Sequence, residues 1–451
     1  MFRSIFSLVF FFLFVSGVNA QQIEQLKFED GLQRLLKNNA KILRGNAQLL
    51  SFQALYDQAD NASLPKISML AFVAPMFQLQ GNALQDQRDY SKWGPLFRGE
   101  IDVTLPLFSF GRLSNAKTAA TFGVEVGKNL KESSINEQIF EYKKMYLSSI
   151  LLKRLKTVLD EAEEKITDIV QRAELAYAEG VGEVQRKDLT RLKLFAFELE
   201  KFQTEWEINR KSARRALGHF LGSPDDFDVT DADFPVIDEA PALEALIRLG
   251  FEKNPNLKAV SSGVQARTHQ LKMEEGAMLP VIFIATRVEG TYTNMAERQT
   301  SVFAFDPFNT VYGGVVLGSR WQLDWSETAG KTGAAKSELE AILAQKKEAE
   351  TGIPLKIALA YWELKKQRIF WNISQKKYKE STGWAVSELS SYGAGVGDSK
   401  DLLEAYGAFL LARKDMAEAE FNYCIAWAKL AYEVGEANML RSWVEREIDE
   451  D

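Results

Sequence analysis

The chain has 451 residues, of which 46% are hydrophobic and 26% are charged, with 55 basic against 62 acidic side chains. This mildly acidic balance argues against a nucleic-acid partner, because phosphate contacts need a basic surface. The single cysteine, Cys424, cannot form an internal disulfide, so the fold must be held together by packing alone. We expect its thiol to be buried and unreactive.

The N-terminus has the pattern of a secretory signal. Arg3 is followed by an apolar run that ends at Val15 and by small residues that end at Ala20. The run is too short to span a membrane comfortably, and polar residues follow it. We therefore predict export, with a signal peptide at residues 1–20. No later run approaches the ~20 apolar residues of a membrane helix, so any membrane crossing would use strands.

The two halves of the chain share motifs at one nearly constant offset. Tyr-x-x-Gly-Val-Gly begins at Tyr177 and again at Tyr392, and a Leu-Pro pair recurs with the same spacing at Leu64 and Leu279. The shared spacing predicts two structural repeats. The predicted order is a first repeat at 21–222, a Pro- and Asp-rich linker at 223–241, a second repeat at 242–435 and an acidic tail at 436–451.

Each repeat contains a predicted pair of strands after a helical lead-in. Between Phe97 and Leu107, apolar side chains alternate with polar and charged ones, which predicts a strand with two unlike faces. A sheet packed on a soluble core would alternate in the same way. Runs of about ten residues with aromatic ends favour membrane strands, with Ile101, Val103 and Leu105 towards lipid. The four predicted strands cover about 66–80, 97–108, 281–293 and 311–325.

Aromatic side chains near the predicted strand ends would form an interfacial girdle. They are Tyr90, Trp93, Phe97, Tyr292, Phe303, Phe305, Phe308 and Tyr312. Residues 81–94 and 294–309 would be the outer loops. Four strands cannot close a barrel, and hydrocarbon does not tolerate open edges. The chain must therefore share a barrel with other copies, of which two would give eight strands and three would give twelve, with a wider bore.

Long helices are predicted where proline is absent, between Pro106 and Pro224 and after Pro354. A helix of about 65 residues would be nearly 100 Å long, several times the width of an ordinary domain. Glycine turns would reverse the chain at the tips of two helical hairpins. The predicted hairpins are 111–221, with its tip at 180–182 (Gly180, Gly182), and 327–435, with its tip at 395–397 (Gly395, Gly397).

Together these features resemble the TolC family of outer-membrane efflux and secretion channels, over residues of about 28 to 435. Sharper marks are the two Leu-Pro pairs and Gly395-Val396-Gly397 followed by Asp401-Leu402-Leu403-Glu404. The resemblance implies an α+β membrane protein in the outer membrane of a Gram-negative cell. It implies a homotrimer with a shared transmembrane β-barrel, to which each chain contributes four strands. Outer-membrane lipid would surround this barrel, and a long α-helical coiled-coil barrel would continue it into the periplasm.

The resemblance also implies a function and a site. The chain would be the passive exit duct of a tripartite efflux pump or type I secretion system, with a periplasmic adaptor and an inner-membrane transporter as partners. In the family, an acidic pair after the second tip lines the periplasmic mouth, and the motif places it at Asp401 and Glu404. Their spacing puts both carboxylates on one helix face, although a solvated helix face is the alternative. The equivalent turn in the first repeat leads to Asp188 as a third candidate.

Other classes of protein find less support. His219 and His269 lie apart, without an acidic or cysteine cluster at metal-ligand spacing, and there is no nucleotide-binding loop or nucleophile elbow. We therefore predict no enzyme activity, catalytic residue, metal or cofactor. A periplasmic adaptor is the main alternative, because adaptors are also exported and contain long helical hairpins. A purely structural coiled-coil protein is the other.

Overall fold

The computed structural model describes residues 23–82, 85–179, 185–224, 226–237 and 239–437. The predicted signal peptide, the first tip turn with Gly180 and Gly182, and most of the acidic tail lie outside the described residues. Over the described ranges, none of the helices combines the length and the apolar character that a membrane span requires.

Helices and strands follow one another in the same order in the two halves of the chain, and most of the described residues are helical. The first half contains β1 (Glu24–Leu26), α1 (Phe28–Asn38), α2 (Ala40–Asp60), β2 (Lys66–Asn82), β3 (Gln85–Phe108), α3 (Arg112–Glu179) and α4 (Arg186–Phe220). The second contains β4 (Phe227–Val229), α5 (Leu243–Lys253), α6 (Pro255–Gly276), β5 (Val281–Thr293), β6 (Thr310–Arg320), α7 (Trp325–Gly393) and α8 (Ser399–Val434).

The chain forms two compact units. The tip unit comprises residues 23–43, 135–247 and 356–437, and the sheet unit comprises 44–134 and 248–355. Each unit contains residues from both of the predicted repeats. The sheet unit contains the four long strands, and the tip unit contains α4 and α8 with the turn between α7 and α8.

The sheet has the order β2-β3-β5-β6, and all neighbouring strands are antiparallel. The pairing of β3 with β5 joins strands from the two halves of the chain, and β2 and β6 form the edges. Two predicted strand boundaries are wrong. β3 begins at Gln85, because residues 85–89 and 93–94 pair with β2 where a loop was expected. β6 ends at Arg320, since Asp324 accepts a hydrogen bond from the Glu327 backbone N–H (3.0 Å) and so caps α7.

The largest core of the tip unit lies where α3 packs against α1, β1 and β4. Tyr142 is fully buried at its centre and donates a hydrogen bond to the Phe28 carbonyl oxygen (2.9 Å). Gly31 permits this close approach, because a Cβ there would lie 2.0 Å from the tyrosine oxygen. Cys424 is 1% exposed in the same core, and burial raises the pKa of its thiol. The prediction of a buried, unreactive cysteine is confirmed.

A second core of the tip unit joins both hairpins near their tips. It is built from four helices and includes Ile166 and Ile169 of α3, Leu192 and Leu199 of α4, Ala385 of α7, and Leu402 and Tyr406 of α8. Its members recur at helical spacing, so each helix turns one apolar stripe inwards. The face of α8 opposite Leu402 is exposed and can carry polar groups.

Candidate functional site

The turn between α7 and α8 is built around two glycines. Gly395 has φ +80°, a left-handed conformation that disfavours other residues. Gly397 donates its backbone N–H to the Ser391 carbonyl oxygen (3.1 Å), and a Cβ there would lie only 2.7 Å from the Tyr392 backbone nitrogen. Both glycines that the sequence singled out are therefore required by the backbone of this turn.

Asp398 starts α8 by capping it. Its side chain accepts a hydrogen bond from the Lys400 backbone N–H at 2.8 Å. That bond holds the pKa of the Asp398 carboxyl below its usual range. Asp398, Ser399 and Lys400 thus form the start of α8.

Asp188 connects the starts of α4 and α8. Its carboxylate accepts hydrogen bonds from the Gln185 backbone N–H (3.0 Å) and from the Ser399 hydroxyl (2.7 Å). Arg191 approaches the same carboxylate at 3.4 Å and Asp398 at 3.9 Å. The Asp188 side chain is 13% exposed. It therefore acts within the chain as a cap and as a bridge between the two hairpins, with little of its carboxylate free to line a mouth.

Asp401 and Glu404 are both exposed in the first turns of α8. Their neighbours Leu402, Ala405 and Tyr406 are buried, so the carboxylates lie on the opposite, outward face of the helix. The described residues give neither carboxylate a hydrogen bond or ion pair. The Asp401 and Glu404 carboxylates thus lie close together, without an ion pair among the described residues, and are accessible to ions from solvent.

Further along the hairpins, α8 is tied to α3 by an ion pair that the sequence did not reveal. Arg413 donates two hydrogen bonds to the Glu161 carboxylate, one of them at 3.0 Å. The pair holds the pKa of Glu161 below its usual range. Its residues are far apart in the sequence, so no local pattern could have paired them.

The sheet has one ionic face. On β3 and β5, Arg98 binds Glu289 (2.6 Å), and Arg287 binds both Glu100 (2.9 Å) and Asp102 (2.7 Å). These five residues occupy alternate positions of paired strands, so they project on the same side. They define the ionic face of the sheet.

The opposite side is the apolar face. Met69, Ile101 and Val288 form one row across β2, β3 and β5, and they are 74%, 41% and 43% exposed. Val315 and Leu317 of β6 lie on the same side and are 66% and 72% exposed. A soluble core would bury such side chains, so the chain alone leaves this face without a cover.

The aromatic side chains of the predicted girdle occupy different places in the sheet unit. Phe97 and Tyr292 lie on the apolar face with ring centroids 6.4 Å apart. Tyr312 is instead on the ionic face, where its hydroxyl donates to Glu289 (2.7 Å). Phe303 and Phe305 belong to the β5–β6 loop, residues 294–309, and lie outside the strands.

The described residues contain no group of three or more His, Cys, Asp or Glu side chains placed to hold a metal ion. What the geometry offers is a sheet with unlike faces and free edges, and long helical hairpins with an acidic pair beside a glycine turn. These features agree with the predicted mixed α and β fold of a membrane channel.

Comparison with known proteins shows what the chain is similar to. Residues 31–223 match the family model described as outer membrane efflux protein. The fold is similar to that of the outer membrane protein VceC from Vibrio cholerae, with 14% identity, a TM-score of 0.73, and coverage of 90% of this chain and 95% of that chain. No curated protein matches the chain.

Two further solved structures have the same fold. The outer membrane channel CmeC of Campylobacter jejuni is 14% identical, with a TM-score of 0.72 and coverage of 91% of this chain and 85% of that chain. The open-state outer membrane channel MtrE of Neisseria gonorrhoeae is 15% identical, with a TM-score of 0.74 and coverage of 91% and 89%. The match of residues 31–223 and the similar folds agree with the predicted resemblance to outer-membrane efflux channels.

Proposed function

We propose that the protein is the passive exit duct of a tripartite efflux pump or type I secretion system, and that it works as a homotrimer. The observation that carries this proposal is the sheet, which has an ionic face, an exposed apolar face and two unpaired edges. In the trimer, β6 of each copy pairs with β2 of the next. Twelve strands then close into a barrel without edges, as hydrocarbon requires.

The two faces of the sheet fit this assembly. The apolar face, with Met69 and Val315, turns to lipid, and the ionic face, with Arg98 and Arg287, turns to the water-filled bore. The helical hairpins continue the bore through the periplasm. There a periplasmic adaptor and an inner-membrane transporter complete the pathway, and the proposal assigns the chain no catalytic step.

The narrow mouth of the duct is placed at Asp401 and Glu404. Threefold symmetry brings six carboxylates to one constriction, where their mutual repulsion is relieved by bound cations. Neither residue has an ion-pair partner among the described residues, so both carboxylates are available for such a ring. Asp188, already engaged by Ser399 and Arg191, takes a positioning role behind the mouth.

Two measurements test the proposal. Native mass measurement in detergent should find a stable trimer, and a monomer would refute the duct. In planar bilayers the parent channel should favour cations and be blocked from the tip side by multivalent cations. The double substitution Asp401→Ala, Glu404→Ala should abolish the block and leave the trimer intact. The matched control, Asp401→Glu with Glu404→Asp, should keep it. A double alanine variant that blocks like the parent would place the gate elsewhere.

A further inference from the structure

The β5–β6 loop folds over the ionic face of the sheet. After Thr293 the chain crosses β3 and hydrogen-bonds to β2: the Leu79 backbone N–H donates to the Met295 carbonyl oxygen (2.7 Å), and the Glu297 N–H donates to the Leu79 carbonyl oxygen (3.2 Å). The crossing passes directly over Gly94, where a Cβ would lie 2.6 Å from Met295 Cγ.

The side of the crossing follows from the strand register. Gly94 and Arg98 are four residues apart on β3, and no register shift separates them, so both project on the ionic face. Met76, the partner of Gly94 on β2, is only 8% exposed on that face. The loop therefore covers the side of the sheet that lines the bore in the proposed duct, at the end of the strands away from α6 and α7.

The loop is held in one shape by its own hydrogen bonds. Asp306 accepts bonds from the backbone N–H groups of Gln299 (3.1 Å), Phe308 (2.9 Å) and Asn309 (3.0 Å). Gln299 in turn donates its side-chain amide to the Gly81 carbonyl oxygen (3.0 Å), at the end of β2. A frame of this kind fixes the direction in which the middle of the loop projects.

That middle is apolar and has no cover in the single chain. Val302 and Phe303 are 96% and 100% exposed, and Phe305 is 69% exposed. Lipid is a poor occupant for these side chains, because the loop folds over the face opposite to Met69 and Val315, which the lipid would cover. Identical loops from the other copies are the partners that share the bore.

We propose that three copies of the β5–β6 loop meet across the outer end of the barrel, and that Val302 and Phe303 form an apolar constriction there. Such a constriction opposes ions by excluding water from a narrow apolar passage. The inference rests on the proposed trimeric duct. It gives that duct a second barrier, apolar and at the outer mouth, in addition to the acidic ring of the periplasmic tip.

Cross-linking tests the contact between loops. In a Cys424→Ala background, Phe303→Cys and the control Val311→Cys are each purified and shown by native mass measurement to be trimeric. Val311 is 79% exposed on the apolar face at the same end of the sheet. A short bismaleimide should join copies through position 303 and leave position 311 as single chains. A trimeric Phe303→Cys variant that stays unlinked would overturn the proposal. So would quenching, by a nitroxide dissolved in the lipid, of a fluorescent label attached to the cysteine at position 303.

Conductance tests the barrier. Val302→Ser with Phe303→Ser should raise the single-channel conductance of the trimer, while the multivalent-cation block at Asp401 and Glu404 persists. An unchanged conductance would overturn the outer constriction and leave the duct standing. Loss of the trimer in the parent protein would instead refute the proposed function, so the two failures are distinguishable.

Discussion

Arginine at Val315 should impair assembly in the membrane far more than arginine at Val316. The two valines are neighbours on the edge strand β6 and have similar exposures of 66% and 58% in the single chain. They differ in the face they occupy. Gly314 pairs with Arg287 of the ionic face, so Val316 shares that face by alternation, whereas Val315 lies on the apolar face.

The expected difference is large because each chain carries the substitution. Arginine facing lipid near the bilayer midplane costs about 2–4 kcal/mol, whereas arginine facing a water-filled bore stays in water and avoids this cost. A cost of about 3 kcal/mol corresponds to a factor of roughly 100 in an equilibrium constant. In a trimer the three costs act together, so Val315→Arg should abolish assembly under conditions in which Val316→Arg is tolerated.

The assay is refolding of the purified chain into phospholipid vesicles, followed by the yield of heat-modifiable trimer on a gel. Native mass measurement confirms the oligomeric state of each product. Equal yields for the two variants, or a lower yield for Val316→Arg, would refute the reasoning that lipid covers one face of the sheet and water the other.

Two substitutions in the tip unit have equally definite outcomes. Burial opposes the charge of Asp228, but hydrogen bonds from Arg214 and Arg210 (2.7 Å) hold the pKa of its carboxyl below the usual range. The contribution of this carboxylate to the stability of the fold is therefore present above about pH 4, and it is lost as the pH falls through the lower folded-state pKa. Asp228→Asn should cost about 3 kcal/mol and weaken this acid dependence in denaturation followed by circular dichroism. Gly397→Ala should speed hydrogen exchange at the second tip, because its Cβ would lie 2.7 Å from backbone, and Gly393→Ala, which has open space, should not.

Local sequence patterns predicted those parts of the fold that depend on residues close together in the sequence. Alternation located the strand between 97 and 108, and the glycine turn at 395–397 follows from backbone geometry that few other residues allow. The failures occurred where surroundings change along an element. Residues 85–94 mix polar residues with Tyr90 and Trp93, so their sequence lacks the alternation that reveals a strand.

The candidate site was predictable only in part for the same reason. The resemblance to the TolC family pointed to Asp401 and Glu404, and the structure exposes both. The role of Asp188 depends on Ser399, which lies 211 positions away and comes close only after both hairpins have formed. The direction of the β5–β6 loop depends likewise on a contact between Gly94 and Met295, which no local pattern encodes.

The open edges of the sheet have a genetic consequence. Because β2 and β6 are the edge strands of the sheet, the proposed barrel closes only when every copy supplies a competent pair of edges. In the proposed trimer, one defective subunit therefore inactivates the two intact subunits with which it assembles. In a cell that makes normal and edge-defective chains in equal amounts, random mixing leaves roughly one trimer in eight fully normal. Mutations at these edges should consequently behave as dominant, whereas null mutations of the same gene should be recessive.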